Sequence, residues 1–248
     1  MAKDIDLILP CFNPPPDFPD VICEYFRNLK RHFSDRTLNL YVVNDGSIVN
    51  FTEIEIKKLL SGIESVQIIS YPVNKGKGYA LRKGVAETMS PLVVYTDYDF
   101  PFGIETMINL VEVLDKGADI VLISRDREYY KVLPPLRRFY SKSSRLLNQY
   151  ILGLEYPEAQ GGLKGFNSNG KDIFMKTTID EFLFDTEFIF RALKEKHISI
   201  VSIQGNTRKG IRPNRIPLRV LRKEILNFFK IFSLRIHGYK GASPVPVN

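Results

Sequence analysis

The chain has 248 residues, of which 44% are hydrophobic, and its formal net charge at pH 7 is +7. This length and hydrophobic content allow a sizeable core, and two cysteines are too few for a disulfide framework, so a reducing compartment is expected. No apolar run approaches the roughly 20 residues that cross a bilayer, and no signal-peptide pattern is seen, so we expect a cytoplasmic protein that could also lie peripherally on the inner membrane face.

The positive charge is concentrated near the C-terminus. Residues 204–240 contain ten Lys or Arg but a single acid, Glu224, whereas the rest of the chain is close to neutral. A basic segment on an otherwise balanced chain predicts an anionic partner, such as an anionic membrane surface. The segment lacks the interleaved aromatic pattern of a nucleic-acid stacking platform, so no nucleic-acid partner is expected.

Short apolar segments alternate with segments of helical periodicity through the first half of the chain. Strands and helices are predicted in alternation at residues 5–10, 19–32, 38–43, 51–61, 66–70, 79–89, 92–96, 104–115 and 119–124. Uniformly apolar strands separated by helices predict an α/β fold, in which a mostly parallel central sheet carries helices on both faces.

Beyond residue 125 the pattern is less regular. A long loop through Arg138 precedes a predicted helix at 139–152, and a glycine-rich strand or turn follows at 160–166. The remaining predicted elements are a short helix at 170–176, a helix at 184–193 and a strand at 198–203. Asp185 is the expected N-cap of the helix at 184–193.

The C-terminal segment 217–236 is basic and amphipathic, with an apolar stripe at helical spacing that includes Ile225 and Phe229. We expect one domain at 1–213, followed by a basic amphipathic helix and tail at 214–248. The helix could pack on the domain, or it could lie on an anionic membrane with its apolar side chains inserted. Both apply if one face docks and the other stays exposed.

Polar and charged side chains gather where the predicted strands end. They are Asn13, Asp45, Asn74, Asp97, Asp99 and Arg125. Because the carboxyl ends of parallel strands meet at one edge of a sheet, these side chains should line a single crevice. Asp97 and Asp99 follow a strand with one residue between them. That arrangement can hold a hard divalent cation, which in turn can neutralise a diphosphate.

Several stretches resemble a known family. Asn44-Asp45-Gly46-Ser47, residues 74–84 and Thr96-Asp97-Tyr98-Asp99 resemble signatures of the inverting family 2 glycosyltransferases. Residues 160–166 and Phe184-Asp185-Thr186-Glu187 resemble the branch of that family that makes polyprenyl- and dolichyl-phosphate sugars. The resemblance covers about residues 5–210, in order along the chain.

The resemblance implies a GT-A fold, a UDP- or GDP-linked sugar donor and a divalent cation, Mg²⁺ or Mn²⁺. Asp97 and Asp99 would be the metal ligands, and Asp97 would also face the sugar or ribose. The other implied substrate contacts are Pro10 and Asn13 at the nucleoside, Asp45 at the base or ribose, Lys77 near the nucleotide, Gln160 in the glycine-rich stretch, and Arg125 and Arg208 at phosphates of acceptor and donor.

Three positions depart from the family pattern. Asn44 replaces the first Asp of the double-Asp signature, and Tyr98 stands where small residues are common. Pro101 stands where some relatives have a polar metal ligand. A cation bound here would therefore take more of its ligands from water or from phosphate oxygens.

The acceptor decides which residues would catalyse transfer. A hydroxyl acceptor needs a general base, for which Asp185 and Glu187 are the candidates. A phosphate acceptor is already ionised and needs cations, for which Arg125, Arg137 and Arg138 are the candidates. We expect transfer to a polyprenyl phosphate. The alternatives are a soluble glycosyltransferase acting on a glycan or lipid-linked saccharide hydroxyl, and a non-catalytic nucleotide- or nucleic-acid-binding protein.

Overall fold

The computed structural model describes residues 2–125, 135–154, 156, 161–208 and 218–236. Its strands are β1 (Ile5–Cys11), β2 (Leu38–Asp45), β3 (Val66–Tyr71), β4 (Leu92–Tyr95), β5 (Ile120–Arg125), β6 (Lys164–Phe166) and β7 (Ile200–Gly205). Its α-helices are α1 (Phe18–His32), α2 (Glu53–Gly62), α3 (Lys77–Glu87), α4 (Ile104–Asp115), α5 (Pro135–Leu146), α6 (Ser168–Phe174), α7 (Phe184–Ala192) and α8 (Leu218–Ile236). A π-helical segment, Leu147–Ile151, follows α5.

The seven strands form one sheet in the order β3-β2-β1-β4-β6-β5-β7. Neighbouring strands are parallel except at β6, which runs antiparallel to both β4 and β5. The predicted α/β fold with a mostly parallel sheet is therefore confirmed. The reversed direction of β6 does not follow from the sequence pattern, because only three residues of the glycine-rich stretch form this strand.

Alternation of side chains along the strands supplies a core on each face of the sheet. In β1, Leu7 and Leu9 join a core with residues of α1 and α4, whereas Ile8 joins the opposite core with residues of α3, α6 and α7. Every residue of β1 is buried. This is the burial expected of a strand that is covered by helices on both sides.

Aromatic side chains fix α7 against the sheet. The ring centroids of Phe166, Phe174 and Phe184 lie 5.7 to 6.2 Å from that of Tyr95, at the end of β4. Rings of this size bury a large apolar area and prefer such tilted arrangements. Phe184 is the first residue of α7, so the cluster holds this end of the helix against the sheet.

Two helix starts differ from the sequence prediction. The helix predicted at 139–152 begins earlier, at Pro135. Proline is favoured at the first helical position, where its missing N–H has no helical partner to lose. The prediction that Asp185 caps the helix at 184–193 is wrong, because Leu183 is the N-cap and Asp185 is the second helical residue.

The C-terminal helix α8 packs one face on the domain. Ile231 is fully buried and Phe228 packs against the second core, whereas Ile225 and Phe229 are exposed. In the described part of the helix, one face is therefore docked on the domain and the other is exposed, as expected if the helix can both pack on the domain and face a membrane. None of the described helices has the length and the apolar character that a membrane crossing requires.

Candidate active site

The topology of the sheet places a switch point at the carboxyl ends of β1 and β4, where we expect a crevice. The chain passes from β1 to β2 and β3 on one side, and then places β4 on the other side of β1. The connections after β1 and β4 therefore lead away from each other, and ligands of α/β proteins bind at such switch points. The loops that follow β1, β2 and β4 border the candidate site.

The loop after β1 is tied to the loop after β2. Asn13 has a left-handed backbone with φ 46°, donates its N–H to Ser47 Oγ at 2.9 Å and accepts the N–H of Ile48 on Oδ1. Asn44 accepts the N–H of Ser47 and donates its side-chain N–H to Ser70 Oγ. The amide at position 44 thus uses both its donor and its acceptor. This departure from the family pattern therefore has a structural role in the loop.

Asp45 organises the loop that leads into α3. Its carboxylate accepts the backbone N–H groups of Lys75 at 2.7 Å and Gly76 at 2.9 Å, and the side-chain amide of Asn74 at 2.8 Å. Burial raises the pKa of Asp45, and the backbone bonds offset part of that rise. Gly76 has φ 108°, and a Cβ there would lie 2.4 Å from the backbone oxygen of Asp180, so the loop requires glycine. The contact of Asp45 with a base or ribose stays a prediction.

Lys77, at the start of α3, reaches the acidic triplet after β4. Its Nζ lies 2.5 Å from Asp97 Oδ1. Burial lowers the pKa of Lys77, but the negative charges of Asp97 and then Asp185 outweigh burial, so the net pKa is raised. Burial, followed by the charge of Asp97, raises the pKa of the partly buried Asp99. The structure thus brings three of the predicted site residues together at one strand end.

Arg208 returns to the acidic triplet from the segment after β7. Its guanidinium donates to the backbone oxygen of Asp99 at 3.0 Å and lies 4.7 Å from the ring centroid of Tyr25. Tyr25 stacks on Phe100, with ring centroids 4.6 Å apart. Phe100 directly follows Asp99 and has a left-handed backbone with φ 45°. These contacts hold the turn after β4 and place a positive charge beside it.

Asp185 is the centre of a second charged group. It is 4% exposed, and its Oδ1 accepts the O–H of Tyr95 and lies 3.0 Å from Lys164 Nζ. Burial raises the pKa of Asp185 and that of Tyr95, and it lowers the pKa of Lys164. Lys164 also donates to the backbone oxygen of Gly161 at 2.6 Å. Lys164 was not among the predicted site residues. The feature of the sequence that could have indicated it is that it is the one lysine in the glycine-rich stretch 160–166.

Glu187 is close to Asp185 in sequence but makes different contacts. Its buried Oε2 accepts the N–H groups of Thr178 and Ile179, both at 2.9 Å. Its Oε1 forms an ion pair with Arg191, one turn further along α7, at 2.7 Å. Both carboxylate oxygens are therefore engaged. This geometry gives Glu187 a structural role and offers no support for its predicted role as a general base.

Three cations gather around Asp97 and Asp185. The positive charges of Lys77 and Arg125 act on Lys164, and the charge of Arg125 also acts on Lys77. Such mutual effects require the three groups to lie near one another. α3, β5 and β6 thus each contribute one cation near these carboxylates, and Lys77 and Lys164 form ion pairs there with Asp97 and Asp185.

The remaining predicted site residues are not part of this charged group, or they lie outside the residues that the structure describes. Pro10 is buried near the end of β1, beside Val43 of β2. Arg138 is exposed on α5. Gln160 and the side chain of Arg137 lie outside the described residues, so their predicted roles stay predictions.

The carboxylates after β4 fit a divalent cation in part. Among the described residues, no three His, Cys, Asp or Glu side chains are grouped so that they could hold a metal ion. Lys77 engages one oxygen of Asp97, and a Cβ added at Gly162 would lie 2.8 Å from the other. Of the two carboxylates, Asp99 would be the more available ligand, because Lys77 and the backbone at Gly162 already crowd Asp97. Donor phosphates and water would complete such a site.

Comparison with known proteins connects this site to a family. Residues 6–174 match the family described as Glycosyl transferase family 2. A dolichyl-phosphate beta-glucosyltransferase from Trichomonas vaginalis is 27% identical over 200 residues, which cover 75% of this chain and 60% of that protein. A bactoprenol glucosyl transferase from Shigella phage SfX is 32% identical over 124 residues, which cover 49% of this chain and 39% of that protein. The chain thus spans less than two thirds of the length of either relative.

Solved structures share the fold at low sequence identity. Glucosyl-3-phosphoglycerate synthase from Mycobacterium tuberculosis, solved with Mn²⁺, UDP and glucosyl-3-phosphoglycerate, has a TM-score of 0.64 at 17% identity and covers 96% of this chain and 82% of its own. A mannosyltransferase from Pyrobaculum calidifontis, solved with GDP-Man and Mn²⁺, has a TM-score of 0.59 at 17% identity and covers 98% of this chain and 66% of its own. These likenesses confirm the expected GT-A fold.

The named relatives confirm the resemblance to the polyprenyl-phosphate sugar transferases, and the family match supports the predicted enzyme class, a glycosyltransferase. The family match extends over more than half of the sequence. The chain therefore belongs to glycosyl transferase family 2.

Proposed function

We propose that this chain transfers a sugar, with inversion, from a UDP- or GDP-linked donor to a polyprenyl phosphate. The observation that carries the proposal is the pair of lysines at the carboxylates, with Lys77 Nζ 2.5 Å from Asp97 and Lys164 Nζ 3.0 Å from Asp185, and with the charge of Arg125 acting on both lysines. A phosphate acceptor is an anion, so it needs neighbouring positive charge rather than a base. The name of one relative, a dolichyl-phosphate beta-glucosyltransferase, supports a polyprenyl-phosphate acceptor, and that of the other, a bactoprenol glucosyl transferase, supports a polyprenyl lipid.

The proposed reaction is a single displacement at the sugar. An oxygen of the acceptor phosphate forms a bond to C1 while the bond from C1 to the nucleoside diphosphate breaks, and the electron pair leaves with the diphosphate. No proton has to move. Lys164 and Arg125 would reduce the repulsion between the acceptor phosphate and the donor diphosphate, and Lys77 would hold Asp97 in place.

Asp99, with Asp97 beside it, is the proposed holder of Mg²⁺ or Mn²⁺. Such a cation supplies positive charge that stabilises the leaving diphosphate. The Mn²⁺ named for the two solved structures supports this class of cofactor. From the protein itself, Arg208 adds a positive charge through its bond to the backbone oxygen of Asp99.

The contacts of Asp185 favour a phosphate acceptor over a hydroxyl acceptor. A general base must be able to accept the proton of the attacking hydroxyl. Oδ1 of Asp185 already accepts the O–H of Tyr95 and is paired with Lys164. The net pKa of Asp185 is raised by burial, which the lysine charge offsets only in part, so it is the occupied oxygen that opposes a role as a base. A hydroxyl acceptor would require this pair to separate.

The acceptor class can be tested directly. We expect the purified protein, given Mn²⁺ and labelled UDP-glucose or GDP-mannose, to label polyprenyl phosphate from one of the two donors. The matching polyprenol, which lacks the phosphate, should be labelled about 100-fold more slowly, because it brings neither the charge nor the ionised nucleophile. Omission of protein and addition of EDTA are the controls. Equal labelling of the two lipids would contradict the proposal.

We further propose that the exposed face of α8 lies on an anionic membrane. Ile225, Leu226 and Phe229 are 53%, 60% and 61% exposed, and the side chains of Arg222 and Lys230 are exposed on the same helix. Helices that present apolar side chains flanked by cations bind membrane interfaces and anionic headgroups. This placement would bring the domain to a lipid acceptor.

Phe229→Ser is expected to weaken binding to vesicles that contain phosphatidylglycerol by roughly tenfold, because burial of a phenylalanine in an apolar phase contributes about 1.5–3 kcal/mol. Vesicle cosedimentation at low salt measures the effect. Met89→Ser is the matched control, since Met89 is 92% exposed at a site away from α8. Unchanged binding of the Phe229 variant would mean that this face does not touch the membrane.

A further inference from the structure

The docked face of α8 carries a buried carboxylate. Glu224 is 3% exposed, and its two oxygens accept the backbone N–H groups of Phe182 at 2.9 Å and Leu183 at 3.0 Å. These two amides directly precede α7, and the N-cap Leu183 offers no side-chain acceptor to the helix start. The first N–H groups at a helix start need such acceptors, and a negative charge there is favoured by the helix dipole. From a distant part of the sequence, α8 therefore binds the N-cap amide and the amide before it, a contact that we call the cap on α7.

The capped segment also contacts the wall of the crevice. The backbone oxygen of Asp180 accepts the N–H of Gly78 at 2.7 Å and that of Tyr79 at 3.3 Å, in the first turn of α3. Lys223, next to Glu224 on α8, forms an ion pair with Glu181. The stretch from 180 to 183 is thus fixed between α3 and α8. The position of this stretch sets where α7 begins.

The helix start in turn positions Asp185. Asp185 is the second residue of α7, and it contacts Lys164 and Tyr95 through one oxygen. A shift of this turn would change those short contacts before any other part of α7 is disturbed. The chain of contacts runs from Glu224 through the amides of 182 and 183 to Asp185.

Docking of α8 does not itself require a carboxylate. Ile231 is fully buried on the same helix, and Phe228 packs beside it, so apolar contacts hold the helix to the domain. Burial raises the pKa of Glu224 to about 7, which reflects the cost of placing a charge here. The neighbouring charges are Glu181, which adds to the rise, and Lys223, which opposes it. The contact that Glu224 alone provides is the cap on α7.

We propose that Glu224 is a positioning residue for the active site: by capping α7 from the C-terminal helix, it holds Asp185 against Lys164 and Tyr95. The activity part of this inference rests on the proposed function, whereas the structural part does not. The two faces of α8 would then have different roles. The exposed face would contact lipid, and the docked face would hold the active site in position.

The test compares Glu224→Ala, Glu224→Gln and Ile231→Ala. The Ile231 variant leaves a cavity under α8 and keeps the carboxylate of Glu224. We expect Glu224→Ala to speed hydrogen exchange of the amides at 182–186 by about tenfold and to lower kcat by a similar factor, with little change in nucleotide affinity. Glu224→Gln keeps one acceptor oxygen and should recover part of both effects. Ile231→Ala should lower the Tm while changing exchange at 182–186 and kcat by less than about twofold.

The outcomes separate the inference from the proposed function. Equal effects of Glu224→Ala and Ile231→Ala on exchange and kcat would show that docking alone matters and would overturn the inference, as would wild-type exchange in Glu224→Ala. If the wild-type protein transfers no sugar to polyprenyl phosphate, the proposed function fails. The hydrogen-exchange rates of the amides at 182–186, compared between Glu224→Ala and Ile231→Ala, would still decide whether Glu224 positions the start of α7.

Discussion

Replacing Asp99 with asparagine is expected to lower the rate of sugar transfer by about a thousandfold while leaving the fold intact. The substitution keeps the size of the side chain and removes the charge proposed to hold the cation. Burial and the nearby charge of Asp97 already raise the pKa of Asp99, so the loss of this charge should not destabilise the domain. Measurements of kcat with saturating donor and Mn²⁺, together with thermal unfolding, separate the two effects.

Asp172→Asn is the matched control for this experiment, because Asp172 is an exposed carboxylate on α6. It should transfer sugar at the wild-type rate. If Asp99→Asn also transfers sugar at that rate and still depends on Mn²⁺, the cation is held by other residues and the assignment is wrong.

Lys164→Met is expected to lower transfer to polyprenyl phosphate by at least about 100-fold, because it removes a buried cation from the proposed acceptor site. It also leaves the charge of Asp185 buried without its partner, which costs about 3–5 kcal/mol of stability in comparable sites. Loss of activity in the single variant could therefore come from either cause. The double variant Lys164→Met/Asp185→Asn separates them, because it removes both charges.

We expect the double variant to regain most of the free energy of unfolding but not the transfer activity, since the phosphate still lacks its cation. Chemical denaturation and transfer assays on the four proteins of the cycle measure both quantities. Lys171→Met is the control, because Lys171 lies on α6 and donates to the backbone oxygen of Thr88. Recovery of transfer in the double variant would reduce Lys164 to a counter-ion of Asp185 and would contradict its proposed role at the acceptor.

Much of the fold could be predicted because local sequence patterns, such as short apolar runs and helical periodicity, specify its strands and helices. The buried strands β1, β2 and β4 are short and mainly apolar. β2 ends at Asp45, and Asn13 and Asp97 each lie two residues beyond the end of β1 and β4. Strand ends meet by topology alone, so Asp45 and Asp97 could be assigned to one crevice, whereas Lys77 was assigned to the nucleotide only through the family resemblance. The direction of β6 could not be predicted, because it depends on the neighbours that this short strand finds in the folded sheet.

The contacts that the sequence did not reveal are those made between distant segments. Lys164 is separated from Asp185 by 21 positions and from Tyr95 by 69, and no periodic pattern connects the three. Asp185 has the residue type and place of an N-cap, but the pairing with Lys164 draws its side chain into the core. Glu224 is a lone acid in a basic helix, and its value as a cap appears only when α8 lies against the start of α7.

The most direct test of the account is calorimetric titration of the wild-type protein with UDP and with GDP, first with Mn²⁺ and then with EDTA. The account predicts that one nucleotide binds with Mn²⁺ and that EDTA weakens this binding at least about tenfold, because the diphosphate is held through a cation at Asp99. Binding that EDTA leaves unchanged, or no binding of either nucleotide, would contradict the claim that this crevice holds a nucleotide-sugar through a divalent cation.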